Sequence, residues 1–226
     1  MLRKDYLLAQ TEMLSGLVAQ LLKLRQAGNE LAVTAEIETS YHELFGLDPH
    51  LISLLPLEFL LGKIRSGEYL DTVQGLTLAI LLREDAINQL ERGNSQEHYQ
   101  RVIRSLGLFL ALSDEHHLQP EQLELYEVST VLEQIADYEL PQELKFSLFH
   151  YYEDTGQYAM AEDQLHDMMA MHPLGNDSSA AKGEIIAEGI SYYEWLLGQT
   201  DEELAAGNLP RAEVEEGLEQ LRAMTS

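Results

Sequence analysis

The sequence predicts an all-α fold of antiparallel helix pairs stacked one on the next. Apolar residues return every three or four positions in segment after segment, the mark of helices with one buried face. Nowhere does β-branched alternation persist over five residues, so no strand is expected. The 15 glycines and six prolines fall mostly between the periodic segments, where they stop and start helices. At 226 residues and 45% hydrophobic content, the chain can bury one sizeable core, two small ones or an elongated stack. We expect ten or eleven helices with short loops in a single all-helical unit over 1–226, leucine-rich over 1–113 and acidic over 120–226.

Taken in order, the first helix is expected from about Asp5 to Gln26, with Leu14, Leu17, Val18, Leu21 and Leu24 on one face. Gly28 stops it and Asn29 caps the next, about Glu30 to Phe45, which buries Val33, Ile37, Tyr41 and Leu44 and ends at Gly46. Asp48-Pro49 starts a short segment to Leu55, and Pro56 restarts the helix over 56–65. Gly67 breaks it before a long helix from about Tyr69 to Arg92, with Val73, Leu76, Ile80, Leu81 and Ile87 inward. Gly75 inside that helix costs roughly 1 kcal/mol against alanine, which fits a close helix approach.

Asn94 with Glu97 caps a helix from about Ser95 to Leu112, striped by Val102, Ile103, Leu106, Phe109 and Leu110. Ser113 to Gln119 is a polar break. Pro120 opens a helix to about Asp137 and Pro141 another to about Asp154; Gln157 to His172 follows. After a loop from Pro173 to Ser178, helices are expected from about Ser179 to Leu197 and, behind Pro210, to about Met224. Thr200-Asp201-Glu202-Glu203 between them reads as a capping box.

The 34 residues from Gln142 to Gly175 are the most informative stretch. Two antiparallel helices cross closely only where one side is small, and a sharp turn needs a residue tolerant of positive φ. Ala161 and Gly156 supply these, while Leu148, Tyr152, Tyr158 and Leu165 fill the groove and Pro173 closes the unit. This unit resembles a tetratricopeptide repeat, with Lys145, Phe149 and Met168 in place of the family's aromatic, small and alanine residues. The resemblance implies a divergent tetratricopeptide-like superhelix. Turns at 28, 67, 156 and 207 are unevenly spaced, and Gly207 to Ala212 is the best partial second copy, so a regular array is not expected. The N-terminal Asp5-Tyr6-Leu7-Leu8, the leucine-rich helix behind it and the Phe45-Gly46-Leu47-Asp48 turn also resemble an uncharacterised family of helical proteins from Gram-positive bacteria. That likeness implies no catalytic residues.

A net charge of -25 disfavours nucleic acid and anionic lipid as partners. The charge is uneven: residues 1–105 hold 10 Lys/Arg against 14 Asp/Glu, and residues 106–226 hold 4 against 25. A basic partner would prefer the second half, although an acidic surface that only keeps the protein soluble reads the same way. Cysteine is absent, which excludes disulfides, thiolate nucleophiles and iron–sulfur clusters. The N-terminus is not a signal peptide and no segment is apolar enough for a membrane span, so a cytoplasmic protein is expected. Phosphate-cradling loops, the nucleophile elbow and the His-Glu-x-x-His motif are missing, and no enzymatic activity or cofactor is expected.

Two sets of residues are candidates for function. His150, Glu153, Glu162 and His166 form the metal alternative, because Asp163-x-x-His166 lets two ligands face one ion and the preceding helix lies opposite. Only a fragment of a bridged di-metal pattern is present, and a solvated helix face explains the same residues. Asp114-Glu115-His116-His117 is expected in a loop, where it would hold a divalent ion weakly if at all. The other set is aromatic: Tyr151, Tyr192, Tyr193 and Trp195. Consecutive aromatics on a helix point to different sides, so one ring can face a groove; core packing is the favoured reading for Trp195, the two readings are balanced for one of Tyr192 and Tyr193, and Tyr151 is expected at the surface. The expected function is therefore a non-enzymatic interaction module whose groove, around residues 120–200, receives a basic or helical peptide of a protein partner. Self-association through an exposed apolar helix such as the first is a further expectation.

Overall fold

Asn29, Asp48, Asp71 and Thr200 each turn a side-chain oxygen onto the backbone N–H of Ala32, His50, Gln74 and Glu203. These caps satisfy donors that a helix start leaves open, and they fix where four helical segments begin. The computed structural model describes residues 16–116, 128–171 and 179–225. The expected start of the first helix, the helix opening at Pro120 and the Pro173–Ser178 loop lie outside the described residues. The fold is all-α, and the chain divides between Glu139 and Leu140 into two compact units.

In the first unit, α1 (16–26) ends at Gly28, whose φ of 66° is left-handed. Helix α2 (Glu30–Ser40) continues into one π turn, Tyr41–Phe45, closed by Gly46. That widened turn rotates the register, so Tyr41 is buried while Leu44, expected inward, is exposed. A 3-10 segment (Pro49–Leu54) and α3 (Leu57–Lys63) follow. Around Gly67 the chain forms a two-residue hairpin, with Arg65 opposite Leu70 and Ser66 opposite Tyr69. The sequence predicted no strand there, and the pairing is too short to leave an alternation pattern.

Helix α4 (Thr72–Glu91) packs along α5 (Ser95–His116), and α6 (Val128–Glu133) packs on α5. Ten consecutive residues of α4, Thr77 to Ala86, are buried, so its polar and apolar faces alike are covered. At the crossing, a Cβ on Gly75 would lie 2.7 Å from both terminal methyls of Leu112, which is the close approach expected of that glycine. The expected polar break after Leu112 does not occur before His116, because Leu112 and Ser113 remain buried and carry the helix on. Tyr99 on α5 donates to the Glu139 carbonyl at 2.9 Å and stacks on Tyr138, which binds the segment after α6 to the first unit.

The second unit holds α7 (Gln142–Asp154), α8 (Tyr158–Met171), α9 (Ser179–Leu196), α10 (Asp201–Ala206) and α11 (Arg211–Met224). Gly156 makes the α7–α8 turn at φ 70°, and Ala161 is fully buried where the two helices pack. The residues expected in that groove, Leu148, Tyr152, Tyr158 and Leu165, are all buried. In the α10–α11 turn the left-handed residue is Asn208 rather than Gly207. Gly207 is needed for proximity instead: a Cβ there would lie 2.4 Å from the Tyr158 ring and 2.7 Å from the Gly156 carbonyl oxygen.

Candidate functional site

Arg83, Glu84 and Asp85 interrupt the apolar run of α4 inside the buried core of the first unit. Successive helical residues diverge by about 100°, so the three side chains meet different partners. Glu84 pairs with Arg25 of α1 and, at 2.8 Å, with Arg83. Asp85 pairs with Arg101 of α5, takes the Tyr41 hydroxyl at 3.3 Å and accepts Gln89 Nε2 at 3.0 Å. Buried carboxylates survive only when paired in this way. Burial, and then the Asp85 charge, push the Tyr41 phenol well above its ordinary value.

Arg101 also binds Glu97 and reaches the Pro49 carbonyl, while Arg104 donates to the Ser53 and Leu55 carbonyls at 2.6 and 2.7 Å. Arg104 thus closes the carbonyl end of the 3-10 segment onto α5, while Arg101 holds its first residue. Burial pushes the Glu97 carboxyl up, but the hydrogen bond and charge of Arg101 outweigh it and hold the group below the usual range. Beside this network lies a cavity of about 290 Å³, walled by α2, the 3-10 segment and the facing ends of α4 and α5. Its lining is largely polar and includes Thr34, Glu38, Asp85, Asn88, Arg92 and Arg101. None of these residues stood out in the sequence, although a charged triplet within the apolar Leu78–Ile87 run was the available signal.

The second unit arranges the aromatic candidates. Tyr192 and Tyr193 do not reach the surface: they are 2% and 0% exposed, and their hydroxyls are spent inside. Tyr192 donates to the Tyr158 carbonyl at 2.7 Å and Tyr193 to Glu162 at 2.6 Å. Both positions therefore belong to the core, because α9 is covered by α8 on one side and α11 on the other. Trp195 is 42% exposed, with its ring edge-on to Tyr158 at 5.7 Å, and Tyr151 is half-buried against Tyr152.

The four residues of the metal alternative are not brought to one point. His150 pairs with Glu153 at 3.3 Å on α7, Glu162 serves Tyr193, and His166 lies exposed on α8. Among the described residues, no three His, Asp or Glu side chains group so as to hold a metal ion. Asp114 to His116 are helical rather than looped, and His117 lies outside the described residues. No helix among the described residues is long and apolar enough to cross a membrane.

These features define an all-α protein of packed helix pairs, with a buried ion network beside a polar cavity in one unit and an exposed tryptophan over a buried aromatic core in the other. The chain belongs to the Family of unknown function (DUF6483), whose profile matches residues 1–226. No curated protein and no solved structure matches it.

Proposed function

We propose that this protein is a non-enzymatic interaction module that uses its second unit, in the manner of a tetratricopeptide repeat, to receive a basic or helical peptide of a protein partner. The observation that carries this reading is Trp195, exposed beside Tyr158 on a unit whose residues 140–226 hold 17 Asp/Glu against 4 Lys/Arg. An exposed indole offers apolar area and a π face to a cation, and the net negative charge of the unit would steer a basic segment toward it. Half-buried Tyr151 is the second contact in this reading. The absence of cysteine accords with a reducing cytoplasm as the site of action.

Trp195 is the sole tryptophan of the chain, so its fluorescence reports occupancy directly. A crosslinked pull-down from the native host at low and high salt would supply the partner, and a peptide from that partner would then be titrated against the protein. A salt-sensitive shift in emission, with binding lost in Trp195→Ala, is the expected result. Repeated recovery of nothing above a matched acidic control would overturn the proposal.

A further inference from the structure

His98 on α5 is only 1% exposed, and both of its ring nitrogens face main-chain oxygens of other segments. Nδ1 lies 3.0 Å from the Ala86 carbonyl of α4, and Nε2 lies 3.2 Å from the carbonyl of Gln134, the residue that follows α6. A neutral imidazole carries one N–H and one bare lone pair, whereas the imidazolium carries two N–H groups. Carbonyl oxygens can only accept. The doubly protonated ring therefore serves both, and a neutral ring sets its lone pair against one of them.

The two oxygens are not equivalent. Ala86 lies inside α4, where the helix ladder already uses its carbonyl. Among the described residues the Gln134 carbonyl has His98 as its sole donor, and Gln134 Oε1 is itself buried without a partner. Gln134 also stands at the carbonyl end of α6, where a helix favours a cation. A second tie, from Tyr99 to the Glu139 carbonyl, holds the chain beyond α6 and does not pass through His98.

Within one helical turn of Ala86, His98 and Gln134, the charged and titratable side chains are Arg83, Glu84 and Asp85 on α4, Glu97, Tyr99 and Arg101 on α5, and Glu133, Asp137 and Tyr138 around the end of α6. Glu84 is paired with Arg25 and Arg83, and Asp85 and Glu97 with Arg101. Tyr99 stacks on Tyr138, and Glu133 and Asp137 are exposed. Among the described residues no carboxylate bonds to the ring, so the two carbonyl dipoles are what receive its charge.

We propose that His98 is a proton-operated latch for α6: doubly protonated it ties α6 to α4 and α5, and on giving one proton to solvent it drops one of the two carbonyls and α6 loosens. The seated form holds one proton more than the loosened form, so seating is complete where the ring is charged and is lost as pH rises. One proton shifts that equilibrium by at most about tenfold per pH unit, within the range where histidine changes charge. The latch is separate from the surface around Trp195 and stands whether or not that surface binds a peptide.

Hydrogen exchange of the full chain, followed by mass spectrometry across the histidine range of about pH 5 to 8 and corrected for intrinsic exchange, tests the latch. Amides of residues 128–135 should lose protection as pH rises, by up to about tenfold per unit, while those of α4 hold theirs. His98→Gln, which keeps a donor at one end only and takes up no proton, should leave 128–135 weakly protected at every pH. His50→Gln, at an exposed position on the 3-10 segment, should keep the full dependence. Should His98→Gln fail to fold, nitrogen NMR of the histidine-labelled, unaltered protein gives an independent reading: the His98 ring should carry two protons where α6 is protected and one where it is not. Protection of 128–135 that is flat with pH would overturn the proposal. So would a dependence that survives in His98→Gln, or a His98 ring with one bare nitrogen throughout that range.

Discussion

Tyr193 donates its hydroxyl to Glu162 Oε1 at 2.6 Å and lays its fully buried ring over Gly217. With the Tyr192 bond to the Tyr158 carbonyl, two phenols tie α9 to α8. Burial, and then Glu162, push the Tyr193 phenol far above its ordinary value; burial, then the Glu162 charge, do the same for Tyr192. Folded values raised in this direction give stability that is complete below the unfolded phenol value and is lost as pH climbs above it. Alkaline titration followed by phenolate absorbance should show these two tyrosines ionising only as the second unit unfolds. Tyr193→Phe should cost about 1.5 kcal/mol at neutral pH, because the Glu162 carboxylate loses a donor.

Glycine at two crossings is set by space. A Cβ at position 217 would lie 2.4 Å from Cζ of Tyr193, and one at 207 would strike the Gly156 carbonyl oxygen. Gly217→Ala and Gly207→Ala should each cost about 1–3 kcal/mol, overriding any gain in helix propensity. Gly183, on α9 with nothing within 4 Å, is the control: Gly183→Ala should stabilise by up to about 1 kcal/mol. Urea unfolding read by Trp195 fluorescence distinguishes these outcomes within the second unit.

Removing Arg101 leaves the buried carboxylate of Asp85 with the Tyr41 hydroxyl and the Gln89 amide as its remaining donors. Arg101→Met should destabilise the first unit by about 3–5 kcal/mol. Arg101→Met with Asp85→Leu should recover much of that loss, since the stranded charge is gone. Chemical denaturation followed by circular dichroism measures both, and equal losses in the single and double variants would show that Asp85 is not the group left in need.

At the start of α10, Thr200 and Glu203 exchange hydrogen bonds. The Thr200 backbone N–H, and then its hydroxyl, hold the Glu203 carboxyl below its ordinary value. A depressed folded value means a contribution present above the unfolded carboxylate range and lost as pH falls through the folded value. The Glu203 side-chain resonance should therefore titrate at lower pH than a free glutamate. In Thr200→Ala its midpoint should move up toward the ordinary value.

Helix limits were legible wherever a cap, a proline or a glycine marked them. Asn29, Asp48, Thr200 and Pro210 act as read, and the 142–171 helix pair falls where its spacing placed it. Periodicity identified faces well only for helices with one covered side. On α4 it named Val73, Leu76 and Ile87, which are half-buried, and passed over the charged triplet, because a helix enclosed on all sides has no polar stripe to read. The same limit hid the cavity, whose lining comes from four segments far apart in the chain. It also left Tyr192, Tyr193 and Trp195 undivided: sequence shows that neighbouring rings diverge, but the facing helices decide which one is left outside.

The triplet on α4 also acts as an angular key. Arg25 and Arg101 approach that helix from different elements, and each finds its carboxylate at one rotational setting. Turning α4 by a single residue, about 100°, would present an arginine or an alanine where a carboxylate is required. Leucine, isoleucine and alanine elsewhere on the helix could tolerate such a slip, since apolar packing is forgiving of phase. Paired charges are not, so the ions that add little to the net energy of the core select one orientation of its central helix from several that greasy contact alone would permit.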